Sequence, residues 1–95
     1  MSHNYAVTVI SCTGTECEVT VTDARSCYVY QVTIPDDCLN TLQRLLPKTS
    51  REDLAKYSFD FLLNRESPQA ILTSFTLCDI SLYFPEYPAI LKESR

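Results

Sequence analysis

Cysteine is the one reactive side chain concentrated in this sequence, at Cys12, Cys17, Cys27, Cys38 and Cys78. Thiols at such spacings can crosslink, hold a soft metal or act as redox sensors. A hairpin with a four-residue loop at 13–16 sets Cys12 opposite Cys17, a separation suited to a disulfide or to half of a metal site. Glu16 and Glu18 flank Cys17, and no Lys, Arg or His adjoins either thiol, so the local charge disfavours a reactive thiolate. The plainest expectation is therefore small buried or half-buried thiols. The chemical alternative is a thiol-based redox or metal-responsive protein using Cys12 and Cys17, with Cys27. As a zinc pattern, C-x4-C-x9-C lacks a fourth ligand unless His3 or a carboxylate supplies it. No metal and no other cofactor is expected.

Other chemistry is sparse. The chain has 95 residues, with one glycine and one histidine. Average usage would give roughly seven glycines. GxGxxG, Walker and GxSxG loops each need at least two, so nucleotide loops and the nucleophile elbow are excluded. His3 lies at the terminus, which leaves no basis for a histidine-centred triad. Asp36 and Asp37 adjoin, but neighbours on a helix point about 100° apart and cannot work as a glycosidase pair; they suit a helix N-terminus. No catalytic residue is assigned, and the chain is expected not to be an enzyme.

Charge narrows the partners. The net charge is −4. Arg25 is the only base among residues 1–40, against Glu16, Glu18, Asp23, Asp36 and Asp37. The basic run Arg44, Lys48, Arg51 and Lys56 is interrupted by Glu52 and Asp53, the pattern of a solvated helix junction. The segment 77–84 carries Asp79 and no base or amide for reading base edges. Nucleic acid is not an expected partner. The uncharged stretch from Ser67 to Cys78 is too short and too polar for a bilayer. The start MSHNYAVTV has no basic and apolar leader pattern, which points to a cytoplasmic protein.

The elements that would position these residues divide the chain in two. Residues 5–12, 17–23 and 27–34 are rich in Val, Thr, Tyr and Ile and read as a three-stranded antiparallel meander. A loop over 23–26 sets Val21 against Tyr28, Val19 against Tyr30 and Cys17 against Val32, all on one face that Ile34 continues. The first hairpin has two registers. The four-residue loop pairs Cys12 with Cys17 but sends Val7 and Val9 to the opposite face; a three-residue loop or a bulge brings Val7 and Val9 beside Val19 and Val21.

After Pro35 the period becomes helical. Asp36 is the expected N-cap of a helix over 36–46, with Leu39, Leu42, Leu45 and Leu46 on one stripe. Thr49 to Glu52 has capping-box spacing and opens a helix over 50–65. Ser67-Pro68 starts a helix over 68–74, and Thr76 caps another over 77–84. The expectation is a single α+β domain spanning 1–95: three strands, then three to four helices.

The helix over 50–65 carries most information about partners. Leu54, Ala55, Tyr57, Phe59, Phe61, Leu62 and Leu63 cover about 240° of its circumference. Such a helix is either sandwiched within the fold or part of a subunit interface. The second option makes Tyr57, Phe59 and Leu63 candidate interface residues of a homodimer, helped by the open edges of a three-stranded sheet.

The stretch SFDFLLNRESPQAILTSFTLCDISLYFPEY (58–87) resembles a motif of short, uncharacterised prokaryotic proteins. Those proteins similarly join a strand-rich half to a helical segment ending in YFPEY. The resemblance covers about the last 40 residues and implies the same α+β order. It carries no assigned activity and no site residue. The resulting expectation is a small cytoplasmic, non-enzymatic interaction or regulatory module, homodimeric or bound to an unidentified protein.

Overall fold

A computed structural model describes residues 5–87 and 89–90. Strands β1 (Ala6–Thr13), β2 (Glu16–Thr22) and β3 (Cys27–Thr33) form the expected antiparallel meander. Helices α1 (Asp36–Leu45) and α2 (Arg51–Leu63) follow. Beyond α2 the chain departs from expectation. The helix expected over 68–74 shrinks to a 3-10 turn, Pro68–Ala70, and Ser74–Thr76 forms a short strand, β4. A second 3-10 turn, Leu77–Asp79, runs into the four-residue helix α3 (Ile80–Tyr83).

β4 lies parallel to β3, with Gln31 beside Ser74, Val32 beside Phe75 and Thr33 beside Thr76. The sheet is thus four-stranded and mixed, in the order β1-β2-β3-β4, not a pure meander. The reason is tertiary. β3 offers an unpaired edge, and the crossover through α1 and α2 is long enough to bring a parallel strand onto it. The Gln31 amide already donates to the Thr73 carbonyl (2.8 Å), and the Tyr30 hydroxyl donates to the Pro68 carbonyl (2.7 Å).

The β2–β3 register is as expected: Val21 faces Tyr28, Val19 faces Tyr30 and Cys17 faces Val32. Asp23 holds the turn by accepting the Arg25 and Ser26 amides at 2.7 Å each. The β1–β2 hairpin satisfies both demands that a regular ladder would set against each other. Its loop is only Gly14-Thr15, Cys12 faces Cys17, and the register slips between Val9 and Ser11. That bulge at Ile10 returns Val9 to Val19 and Val7 to Val21, leaving Ile10 exposed. Gly14 has φ +60°, the positive value a two-residue hairpin loop with glycine first requires.

Cys17, Val19, Val21, Tyr30, Val32 and Ile34 form the inner face of the sheet, and α2 lies across it. Phe59 meets Tyr30 with ring centroids 5.0 Å apart and Phe75 at 5.9 Å. On its other side α2 is covered by the chain after α3: Phe61 contacts Phe84 at 5.7 Å and Tyr87 at 5.2 Å, both edge-on. Two cap assignments shift. Pro35, not Asp36, is the N-cap residue of α1, and Asp36 becomes its first helical residue. The capping box of α2 is Ser50 with Asp53, one residue beyond the Thr49–Glu52 spacing.

Candidate functional site

Four of the five cysteines are joined in pairs. Cys12 and Cys17, facing residues of the first hairpin, are bonded. Cys38, near the start of α1, is bonded to Cys78 in the turn before α3. The sequence offered no spacing signal for this second pair. Their 40 residues of separation are closed only because α1 and the 77–79 turn meet at the same end of the sheet. Cys27 is an exposed free thiol. It pairs with Thr22 at the far end of β2, five residues and about 16 Å from Cys17. Cys12, Cys17 and Cys27 therefore do not form one cluster. Among the described residues, no group of three or more His, Cys, Asp or Glu side chains could hold a metal ion.

The expected interface residues on α2 are largely internal. Phe59 is fully buried, Leu63 is 6% exposed and Tyr57 is half-buried. Of the two options for the apolar arc, the helix is sandwiched within its own chain, between the sheet and the segment around Phe84 and Tyr87. Phe59 and Leu63 have almost no surface left to offer a second copy.

Ser58, overlooked in the sequence because it sits inside that arc, is also fully buried. Its hydroxyl bonds the Leu54 carbonyl at 2.6 Å and the Tyr87 hydroxyl at 2.5 Å. With Ser58 donating to Leu54, the Tyr87 hydroxyl donates to Ser58 Oγ. Burial pushes the Tyr87 phenol up to about 12. Tyr30 is likewise raised by burial, helped by Tyr28 and Tyr5. Asp23 moves the other way, lowered by the two backbone amides it accepts. Asp36, half of the acidic pair, is engaged by Arg51, whose Nε also reaches the Ile34 carbonyl at 2.8 Å.

The open apolar surface lies elsewhere. A groove of about 340 Å³ runs between the end of α2, β4 and α3, lined by Leu62, Ile71, Leu72, Phe75, Ile80, Tyr83 and Phe84. Glu66 and Asp79 are its charged lining residues, and no base is among them. Leu72 and Tyr83 stand 62% and 72% exposed on this groove; Leu82, next to Tyr83 in the chain, is 76% exposed and does not line it. Exposed large apolar side chains are informative when they gather around a concavity. A second recess, of about 430 Å³, opens at the Cys38–Cys78 bond and includes Asp37, Thr41, Thr76 and Ser81.

Among the described residues, no helix is long and apolar enough to cross a membrane. Comparison with protein-family models, with curated proteins and with solved structures finds no match to this chain.

Proposed function

We propose that this chain is a non-enzymatic interaction module whose contact surface is the groove between α2, β4 and α3. The observation that carries this reading is that exposed Leu72 and Tyr83 both line an apolar concavity. Aromatic and aliphatic anchors in such settings supply most of the energy of protein recognition. Glu66 and Asp79 favour a segment that presents an apolar side chain next to Lys or Arg. They disfavour a second copy of this acidic chain in the groove. The homodimer expected from Tyr57, Phe59 and Leu63 would need another surface.

Short labelled peptides carrying Leu or Phe beside either Lys or Glu test the reading by fluorescence anisotropy. Lys-flanked peptides should bind about tenfold more tightly than Glu-flanked ones, and Tyr83→Ala should weaken binding about tenfold. No binding by any peptide, or no effect of Tyr83→Ala, would remove the reading. Sedimentation of the same protein at micromolar concentration reports the homodimer separately.

A second reading, thiol-based redox response, is supported by the facing positions of Cys12 and Cys17. It fails if Cys12→Ser with Cys17→Ser leaves partner binding unchanged in both reducing and oxidising buffer. The compartment is tied to the same chemistry. A cytoplasmic location requires both pairs to be largely thiols at rest, whereas an oxidising compartment keeps them bonded. Alkylation of thiols at the moment of cell lysis, followed by mass spectrometry, separates the two.

A further inference from the structure

The two bonded pairs differ in what they hold. Cys12–Cys17 spans a hairpin whose strands are already joined by the Gly14-Thr15 loop and by ladder pairing on both sides, so its cleavage frees no segment. Cys38–Cys78 ties α1 to the chain between β4 and α3. Among the described residues, no hydrogen bond or ion pair joins α1 to residues 77–83. That segment is a three-residue turn followed by a four-residue helix, neither with a side-chain cap. Helices of such length do not hold without tertiary support. Its inward anchors are Leu77 and Ile80, both buried, and Phe84, edge-on to Phe61, while Leu82 and Tyr83 face outward. The bond is also accessible. Cys78 is half-buried, and the recess of about 430 Å³ opens on both cysteines. Finally, Asp79, Ile80, Tyr83 and Phe84 form one wall of the apolar groove, so the pinned segment is the part whose release would reshape that groove.

We propose that the Cys38–Cys78 disulfide is a reversible redox latch that fixes the 77–84 segment when bonded and releases it when reduced. The reductant is a dithiol. One of its thiolates attacks Cys78 Sγ, forming a mixed disulfide and expelling Cys38 as a thiolate, which takes up a proton. The second dithiol thiolate then attacks the reductant's own sulfur in that mixed disulfide and expels Cys78 as a thiolate, which is protonated in turn. The reductant leaves as a cyclic disulfide, oxidised by two electrons, and the protein gains two thiols. A small-molecule disulfide such as oxidised glutathione recloses the latch by the reverse exchanges and is itself reduced to two thiols. The inference goes beyond the interaction reading and stands without it.

Hydrogen exchange followed by mass spectrometry, on the full chain, tests the latch. Protein oxidised with glutathione disulfide is first mapped without reductant to identify the Cys38–Cys78 crosslink. Native treatment with dithiothreitol should then raise exchange at 77–84 at least about tenfold, at labelling times short enough that 54–63 stays protected in both states, and reverse on reoxidation. Cys38→Ser with Cys78→Ser should show the released pattern without reductant, and Cys12→Ser with Cys17→Ser should retain the full response. Should either variant fail to fold, the unaltered chain still reports peptide by peptide. Absence of the crosslink in oxidised protein, resistance of the crosslink to native reduction, unchanged exchange at 77–84, or a simultaneous loss of protection in every element would each overturn the proposal. Peptide binding is read independently, so its failure with a normal exchange response removes the interaction reading and leaves the latch.

Discussion

Tyr87, Ser58 and Leu54 form the most buried polar chain described, running from the phenol through the serine hydroxyl to a helix carbonyl. Tyr87→Phe removes one of its two bonds without leaving Ser58 partnerless, since Ser58 still donates to Leu54. The expected cost is about 1 kcal/mol, measurable by urea denaturation at neutral pH. The phenol also sets an alkaline limit. Its folded value of about 12 exceeds the ordinary 10.0, because burial penalises the phenolate. The folded chain therefore holds this proton more tightly than the unfolded one. The contribution is fully present below pH 10 and is lost as pH rises from 10 towards 12. Tyr87→Phe should flatten that loss in a series of denaturation curves, with the remaining slope including the similarly raised Tyr30. Asp23 sets the opposite limit: its lowered carboxyl supports the 23–26 turn above pH 3.8 and loses that support as pH falls further.

At the scale of elements, turns and caps decide where strands and helices begin. Gly14 has φ +60° and open space around its missing side chain, so the demand there is conformational and not steric. Gly14→Ala should cost about 1–2 kcal/mol through backbone strain alone, checked by the shift of the urea midpoint. Ser50→Ala removes the side-chain half of the α2 capping box and should cost about 1 kcal/mol in the same assay. The second hairpin was legible because its turn residues and its period-2 pattern agree on one register. The first was not, because Cys12 opposite Cys17 and Val7 with Val9 on the core face differ in parity. Only an extra residue, Ile10, reconciles them, and the sequence leaves its location open. β4 escaped for a related reason. Three residues carry too little periodicity, and Pro68 after Ser67 resembles a helix start.

For the whole molecule, loop length ranks the two crosslinks. In the chain-entropy description, closing the 40-residue separation of Cys38–Cys78 stabilises by about 4 kcal/mol and closing the short Cys12–Cys17 loop by about 2 kcal/mol. Denaturant midpoints of the paired Cys→Ser variants, measured without reductant, should fall in that order. The five thiols were visible at once as the candidate chemistry, and the hairpin geometry brought Cys12 and Cys17 together as one of its two registers. The partnership of Cys38 with Cys78 was not visible, nor was the groove beside it. The first arises where α1 meets residues 76–81 and the second where the end of α2 meets residues 70–84, and no local pattern encodes either meeting.

Residue order alone encodes what short-range forces control: three β-rich runs, the 23–26 turn, and two helices after Pro35, the second too apolar to be an ordinary surface helix. Side-chain alternation, turn chemistry and capping act over a few residues, so they can be read directly. What satisfies the surfaces those elements leave open is set by long-range packing. The edge of β3 is completed by β4, the outer side of α2 by Phe84 and Tyr87, and Cys38 by Cys78. Each pairing joins residues more than twenty positions apart, and each is selected by which edge, face or thiol the rest of the fold leaves within reach.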